Sequence, residues 1–396
     1  MSRVWFQGVD LLRHLANSRI VLAANVVDGY PSEFEYTRDF LLANGIRHLT
    51  TISHPLQKRS KSKSRIVRYQ DGKVTTDFSL IRPNSPPYTH VLDLATGFIP
   101  LKADIWIGFN PMMTAMGSLC PRVKVLANWA IDFVPNRGEI GLAEKLYRGL
   151  ESFMMGQIDA QIENSLPALE ARVSTTGKVP NCQLIAPIGV WQDSFCSPQI
   201  TRHGGRRVVY FGSMDLRNGI PFLAELLDLL VSNDPNLFID VIGEGQSSDL
   251  MRNLAHRFPD QIIFHGYIEK QDDINAILRR AVVALAPYDE LPGSFTEFAD
   301  PQKLKYYAAN GVPTILTNVA PAAREMERCG AAVLLAQSAG PEKWASVLNN
   351  WLNNSSEWYV AAKSSYEYAL NFERNHVYSK TFKTLFSLLD SESTRK

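Results

Sequence analysis

The second half of the sequence alternates short apolar runs with amphipathic segments, and this order constrains the fold more than any other feature. The apolar runs are rich in Val, Ile and Leu, as expected of strands buried on both faces of a parallel sheet. The segments between them have the spacing of helices. Strands are predicted at 207–211, 237–242, 261–267 and 282–287. Strand–helix units in succession predict a parallel, doubly wound α/β sheet.

The first half carries the same alternation. A strand is predicted at 19–26, a helix at 34–43 and a second strand at 46–52, which is the beginning of another doubly wound sheet. A polar stretch at 192–207 then separates the halves. Because 396 residues are too many for one typical core, we place a domain boundary near residue 200.

The composition is that of an ordinary globular protein. Apolar residues make up 45% of the chain, charged residues 20%, and the formal net charge is +1, so no basic excess points to nucleic acid. The cysteines form no CxxC pair, which favours a reducing compartment. No apolar run reaches the roughly 18 residues of a membrane span, and the N-terminus is not a secretory signal. We expect a cytoplasmic protein that is at most peripheral to a membrane.

One stretch, 294–317, joins a loop, a short helix and a buried strand. Asp300 is predicted to cap the helix, and Gly311 to end it, since these residue types suit those positions. A helix start attracts anions, and Lys303 in the first turn adds a full charge. The pattern predicts a diphosphate site, although an ordinary capped helix with a solvated lysine has the same pattern.

Two further loops follow predicted strands in the first half, at the edge where open α/β sheets bind ligands. The first contains Gly29 and Tyr30, and the second contains Asp132. Either loop is equally consistent with a plain turn. The Gly243-Glu244-Gly245 loop is not a dinucleotide fingerprint, because Ser248 stands where a third glycine is needed. The chain has no D-x-D pair and its histidines are isolated, so we expect no metal and no cofactor.

The segment from Lys58 to Arg68 is strongly basic. It carries Lys58, Arg59, Lys61, Lys63, Arg65 and Arg68 among serines, with no acid. Such runs are usually solvated and mobile. The functional alternative is contact with an anionic membrane surface or a phosphate-bearing acceptor.

With both sheets in place, the second half resembles the donor domain of GT-B glycosyltransferases, especially the retaining enzymes of glycosyltransferase family 4. The matching motifs are 210–213 with 217–219, 241–245, 264–268, 286–288, and 300–304 through 311–313. The first half is similar more loosely, through the Gly29 loop, 128–132, 146–148 and 162–165. The resemblance implies two Rossmann-like, doubly wound domains facing a cleft. Residues 1–200 would form the acceptor-side domain, 201–355 the donor domain, and 356–396 helices that cross back over the junction.

The same resemblance implies the reaction and its residues. A sugar would pass from a nucleotide-sugar donor to a glycan, lipid-linked or other hydroxyl acceptor, with retention and without a metal. Arg217 and Lys303 would neutralise the diphosphate, and Asp132 would act as a base or anchor a sugar hydroxyl. Gly29 and Tyr30 would face the acceptor. The donor would contact Gly212, Ser213, Glu244, Gly266, Tyr267, Ile268, Glu297, Asp300 and Tyr306.

The sequence departs from the family pattern at three positions. Tyr306 replaces a glutamate that holds the ribose in many members, and Phe298 replaces its paired glutamate. Asn218 stands where the first loop usually has a lysine, which makes Arg217 its substitute. The alternatives are therefore a GT-B enzyme of another reaction, such as an epimerase or phosphorylase, and a degenerate nucleotide-sugar-binding protein.

Overall fold

The structure is a computed structural model and describes residues 16–27, 32–55, 63–80, 93–134, 142–292 and 294–393. The chain divides into two compact units. Unit 1 comprises Met1–Ala186 together with Tyr378–Lys396, and unit 2 comprises Pro187–Val377. None of the helices in the described ranges is both long and apolar enough to cross a membrane.

Unit 1 is built on an eight-stranded sheet with the order β4-β3-β2-β1-β5-β6-β7-β8. Strands β1, β2 and β5–β8 pair in parallel, and β3 and β4 add an antiparallel hairpin at one edge. The strands are β1 (Arg19–Val26), β2 (His48–Pro55), β3 (Ser64–Gln70), β4 (Lys73–Leu80), β5 (Ala103–Gly108), β6 (Val123–Ala130), β7 (Ala160–Glu163) and β8 (Cys182–Ile185). Strand β1 has the predicted bounds, because its run of small and β-branched residues is buried between two parallel neighbours.

The helices of unit 1 follow their capping signals. Ser32 and Glu35 form a reciprocal capping box at the start of the first helix, and Ser165 caps the fourth. The helices are α1 (Glu33–Ala43), α2 (Pro111–Leu119), α3 (Leu142–Met155) and α4 (Leu166–Thr176). The C-terminal helix α12 (Arg374–Ser393) supplies Tyr378 to this unit, where the tyrosine hydroxyl donates to the buried carboxylate of Glu33.

Only the second part of the basic segment, Lys58 to Arg68, lies among the described residues. Its first part, residues 56–62, lies outside the described residues, and so do Lys58, Arg59 and Lys61. From Ser64 onward the chain is strand β3, not a solvated loop. Arg65 in this strand forms an ion pair with Asp77 of β4. Because Asp77 lies outside the basic segment, the pattern of that segment did not predict the pairing. Cross-strand pairing therefore already neutralises part of the positive charge.

Unit 2 is built on a six-stranded parallel sheet with the order β11-β10-β9-β12-β13-β14. Its strands are β9 (Arg207–Phe211), β10 (Phe238–Ile242), β11 (Ile262–Gly266), β12 (Val283–Ala286), β13 (Thr314–Leu316) and β14 (Ala332–Leu334). Its helices are α5 (Ile220–Asn233), α6 (Ser248–Arg257), α7 (Gln271–Leu278), α8 (Gln302–Ala309), α9 (Ala323–Arg328), α10 (Pro341–Asn353) and α11 (Ser355–Ala369). The core lies between the buried strands and these helices.

The predicted cap of α8 is wrong. The helix begins at Gln302 after Pro301, with no side-chain cap. Asp300 instead forms a buried ion pair with Lys305 and accepts a hydrogen bond of 2.6 Å from the backbone N–H of Ile188. A buried lysine competes more strongly for the carboxylate than exposed N–H groups do. The predicted end is confirmed, because Gly311 follows Asn310 with φ +62°.

Candidate active site

The loops that follow the strands of unit 2 meet at the carboxyl edge of its sheet, because all these strands are parallel. Backbone hydrogen bonds hold adjacent loops together. The N–H of Gly212 donates to the carbonyl of Ile242 at 3.0 Å, and the N–H of Gly243 donates to that of Gly266 at 2.8 Å. The result is a fixed backbone platform beside the start of α8.

Gly212 allows Lys303 to lie against this platform. Its φ is +142°, and a Cβ at this position would lie 2.7 Å from the Nζ of Lys303. Gly243 is similar, with φ +128° and a Cβ position 2.0 Å from the carbonyl oxygen of Gly212. Side chains at these positions would displace either the lysine or the adjacent loop.

Lys303 is enclosed by polar and aromatic groups. Its Nζ donates to Oδ1 of Asn218 at 2.7 Å and to the hydroxyl of Tyr210 at 3.3 Å. It lies 4.8 and 4.9 Å from the ring centroids of Tyr210 and Tyr288. Burial lowers the pKa of Lys303 to about 7, against the opposing charge of Asp215. An anion at this position would favour the protonated lysine.

Asp215 and Asn218 connect the two predicted cations. Asp215 caps the short turn 216–218, and its Oδ1 accepts from Nδ2 of Asn218 at 2.9 Å. Arg217 forms an ion pair of 3.7 Å with Asp215, and its side chain is 62% exposed. An ion pair and two hydrogen bonds therefore link the exposed guanidinium of Arg217, through Asp215 and the neutral amide of Asn218, to Lys303.

The sequence reading missed the roles of Tyr210, Tyr288, Asp215 and Asn218 around Lys303. One signal was available for Asp215, since an aspartate three residues before a turn amide is a typical cap. The tyrosines gave none. Tyr210 lies in β9 and Tyr288 in the loop after β12, and both are buried. A sequence does not distinguish a core tyrosine from one whose ring faces a lysine.

The other predicted donor residues fall into two groups. Ser213 and Glu244 are exposed, Tyr267 is 57% exposed, and Gly266 ends β11 with φ +66°. With Gly212, these belong to loops at the carboxyl edge of the sheet. Ile268 and Glu297 are half-buried on loops of the same unit.

The side chains of two predicted donor residues are buried and form contacts within unit 2. Tyr306 is 2% exposed and packs edge-on against Phe211, with ring centroids 6.5 Å apart. The Asp300 side chain is 8% exposed and paired with Lys305. Their side chains offer little surface to a ribose, so the exposed loop residues are better placed to bind one.

In unit 1, Asp132 is exposed just beyond the end of β6. Two side chains hold the backbone at this point. Nη2 of Arg172 donates to the carbonyl of Asp132 at 2.9 Å, and Nδ2 of Asn164 donates to that of Ile131 at 2.6 Å. The loop is therefore anchored at a position where Asp132 is exposed. Gly29 and Tyr30 lie outside the described residues.

A buried polar network lies beneath Asp132. Glu163, at the end of β7, is fully buried and accepts from Nε2 of Gln161 at 2.7 Å and from Nε of Arg172. Arg172 also pairs with Glu151. Burial raises the pKa of Glu163 well above its usual range, the charge of Asp132 raises it further, and the bond from Gln161 lowers it. Sequence patterns do not reveal this network, because its members lie within otherwise apolar elements.

No group of three or more His, Cys, Asp or Glu residues within the described ranges is arranged to hold a metal ion. The groups that converge on the loops of unit 2 are backbone amides, Lys303 and Arg217. Such groups bind anions, and a diphosphate is the ligand they suit.

Comparison with known proteins agrees with this chemistry. Residues 205–354 match the family model of glycosyl transferases group 1, whereas a search of the curated proteins finds no match. Among solved structures, the chain is similar to HepE from Anabaena in complex with UDP, with a TM-score of 0.64, 12% identity, and coverage of 93% of this chain and 100% of that one. The chain is a glycosyltransferase of the GT-B fold.

Two further solved structures share the fold of this glycosyltransferase. α,α-Trehalose 6-phosphate synthase from Burkholderia multivorans has a TM-score of 0.67 at 13% identity, covering 96% of this chain and 98% of that one. WaaG, a glycosyltransferase involved in lipopolysaccharide biosynthesis, has a TM-score of 0.62 at 15% identity, covering 91% and 98%. The predicted resemblance and fold class are confirmed. The family match lies within unit 2 and includes the whole Lys303 site.

Proposed function

We propose that this glycosyltransferase binds the diphosphate of a nucleotide-sugar donor at Lys303, Asn218 and Arg217. The observation that carries the proposal is Lys303 itself, a half-buried lysine at a glycine-rich strand edge that no carboxylate of the described residues contacts directly. Its charge is available to a ligand at low dielectric, where a charge-assisted hydrogen bond is strongest.

The role of these cations is electrostatic. As the glycosidic bond breaks, negative charge develops on the departing diphosphate. Protonated Lys303 and the guanidinium of Arg217 would stabilise that charge in positions fixed before the reaction. We propose that the transfer is metal-independent and, following the family resemblance, that it retains the anomeric configuration.

The donor is proposed to be a uridine diphosphate sugar. HepE has been crystallised with UDP, with UDP and glucose, and with UDP-glucose. Tyr267 and Ile268, after β11, would contact the base, and Ser213, Glu244 and Glu297 would contact the ribose or sugar. The buried Tyr306 leaves the ribose to these loop residues.

Asp132 is proposed to serve the acceptor hydroxyl, as a base or as a hydrogen-bond anchor. Asp132 is an exposed residue whose backbone is held by Arg172. The acceptor is a glycan, a lipid-linked sugar or another hydroxyl compound. For a membrane-bound acceptor, we propose that Lys58 to Arg68 contacts the anionic surface on its cytoplasmic side.

The test has two stages. Thermal-shift screening against nucleoside diphosphates and their sugars should identify the donor, because a ligand of the folded state raises Tm. Transfer of radiolabelled sugar from that donor to candidate acceptors then measures the reaction. Diphosphate binding without transfer to any acceptor, and without donor hydrolysis, would favour a nucleotide-sugar-binding protein. That alternative is favoured by Tyr306 and Phe298 standing where the resembled family has glutamates.

A further inference from the structure

Unit 1 contains a pocket at the sheet edge opposite to Asp132. It measures about 350 Å³ and lies among the starts of β1 and β2, the end of β3, and the segment before β5. We call it the amino-edge pocket, and its main side chains are Arg19, His48, Arg68, Tyr69, Leu101 and Lys102. Because Asp132 follows the carboxyl end of a parallel strand, the pocket is separate from the proposed acceptor position.

The pocket has an unbalanced positive charge. Arg19, Arg68 and Lys102 are all exposed, and none forms an ion pair with another described residue. No acid is among the described residues that line it. Cations gathered in a concave site with low-dielectric walls concentrate their field and attract anions.

The acids in the adjoining segments are already occupied. Asp104 forms an ion pair with Lys124 at 2.8 Å and accepts from the backbone N–H of Arg19 at 2.8 Å. Asp71 forms an ion pair with Arg47, with its Oδ1 3.5 Å from Nε of the arginine. The charge of Lys102 also acts on Asp104, but neither acid forms an ion pair with a described cation of the pocket. An excess of positive charge therefore remains for an external anion.

The pocket is partly organised before any ligand binds. Nη2 of Arg68 donates to the carbonyl of Ile99 at 3.2 Å, which ties β3 to the segment that carries Lys102. Holding a guanidinium in place reduces the entropy lost on binding. Leu101 and Phe98 in the same segment are 74% and 56% exposed, so apolar surface adjoins the charged wall.

We propose that the amino-edge pocket binds a phosphate-bearing anion. Arginine and lysine are the side chains that recognise phosphate, by forked hydrogen bonds and by charge. The volume is near the lower end for a ligand site and suits a phosphate or diphosphate group. The anion is either a soluble phosphate compound or the headgroup of an anionic lipid, whose acyl region would meet Leu101 and Phe98.

The experiment uses the full chain carrying Lys303→Met, which removes the main cation of the site in unit 2. Inorganic pyrophosphate is titrated calorimetrically into this protein and into the same protein carrying Arg19→Gln and Lys102→Gln. A matched control carries Lys145→Gln and Lys178→Gln, which change the net charge equally at exposed positions of unit 1. Sedimentation with phosphatidylglycerol vesicles, and with phosphatidylcholine vesicles alone, tests the lipid source in the same variants.

A soluble ligand requires pyrophosphate affinity to fall about tenfold or more in the pocket variant, but not in the control, as loss of charge-assisted bonds predicts. If the ligand is a lipid headgroup, sedimentation with phosphatidylglycerol vesicles should fall in the pocket variant but not in the control, and no protein should sediment with phosphatidylcholine vesicles. If the pocket variant matches the control for both probes, or if neither probe binds, the proposal is overturned. Circular dichroism confirms that each variant is folded.

Discussion

The Nζ of Lys303 lies 2.7 Å from Oδ1 of Asn218, the residue that stands where the resembled family usually has a lysine. A second lysine there would repel Lys303 at this distance. The amide instead accepts a hydrogen bond from Lys303 and donates one to Asp215. The site therefore concentrates its enclosed positive charge on one half-buried lysine and leaves Arg217 as an exposed second cation.

Replacing Lys303 with methionine should weaken nucleoside diphosphate binding by about 1.5–3 kcal/mol, the value of a hydrogen bond to a charged group. Methionine keeps the unbranched stem between Tyr210 and Tyr288 and removes the charge, so the fold should hold. Isothermal titration measures the affinity. The Lys343→Met variant, at an exposed lysine of α10, should bind as the wild type does. Unchanged affinity in Lys303→Met would make the lysine an ordinary packed residue.

Diphosphate affinity should depend on pH through Lys303. In the free protein its pKa is lowered to about 7, and the bound anion should raise it again. The lysine is protonated with or without ligand below pH 7, so its contribution is constant there. Above pH 7 binding must take up a proton, and affinity should fall as pH rises, by at most about tenfold per pH unit.

Calorimetry in two buffers of different ionisation enthalpy measures this proton uptake directly. At pH 8 the wild type should take up a proton on binding, whereas Lys303→Met should not. The second phosphate pKa of about 6 lies below this range, so the ligand does not produce the same effect. Equal uptake in both proteins would assign the titration to another group.

Asp300 should matter for stability more than for binding. The Asp300→Asn change leaves the 1% exposed Lys305 side chain without its carboxylate partner, which costs roughly 3–5 kcal/mol when a buried pair is broken. Denaturant unfolding measures the loss. The double variant Asp300→Asn with Lys305→Met should recover much of it, because no buried charge remains. If stability is kept and nucleoside diphosphate affinity is lost, Asp300 contacts the donor, as the sequence analysis predicted.

The parallel sheets could be predicted well from the sequence, because buried strands such as β1 and β9 are recognisable as nearly continuous apolar runs. Prediction failed where tertiary contacts decide the outcome. Asp300 has the residue type of a cap, but the lysine five positions later takes its carboxylate. Strand β4 is exposed along nearly its whole length and lacks an apolar run. The loop motif located Lys303, but the enclosing tyrosines come from β9 and from the loop after β12, which local patterns do not connect to it.

Asp132 is the residue on which the acceptor chemistry depends. Asp132→Asn is nearly isosteric and keeps the backbone carbonyl that accepts from Arg172 at 2.9 Å, so the loop should stay in place. If the carboxylate takes part in proton transfer, turnover should fall by about 10²–10⁴-fold, while diphosphate affinity stays within about threefold, since that site is built from residues of unit 2. Steady-state transfer rates and calorimetry on the same preparation separate the two effects. Asp260→Asn, at an exposed aspartate of unit 2, serves as the matched control.

A small loss of turnover in Asp132→Asn would make Asp132 a turn residue and leave the departing diphosphate to accept the proton of the acceptor hydroxyl. An equal loss of diphosphate affinity would show instead that Asp132 contributes to the donor site.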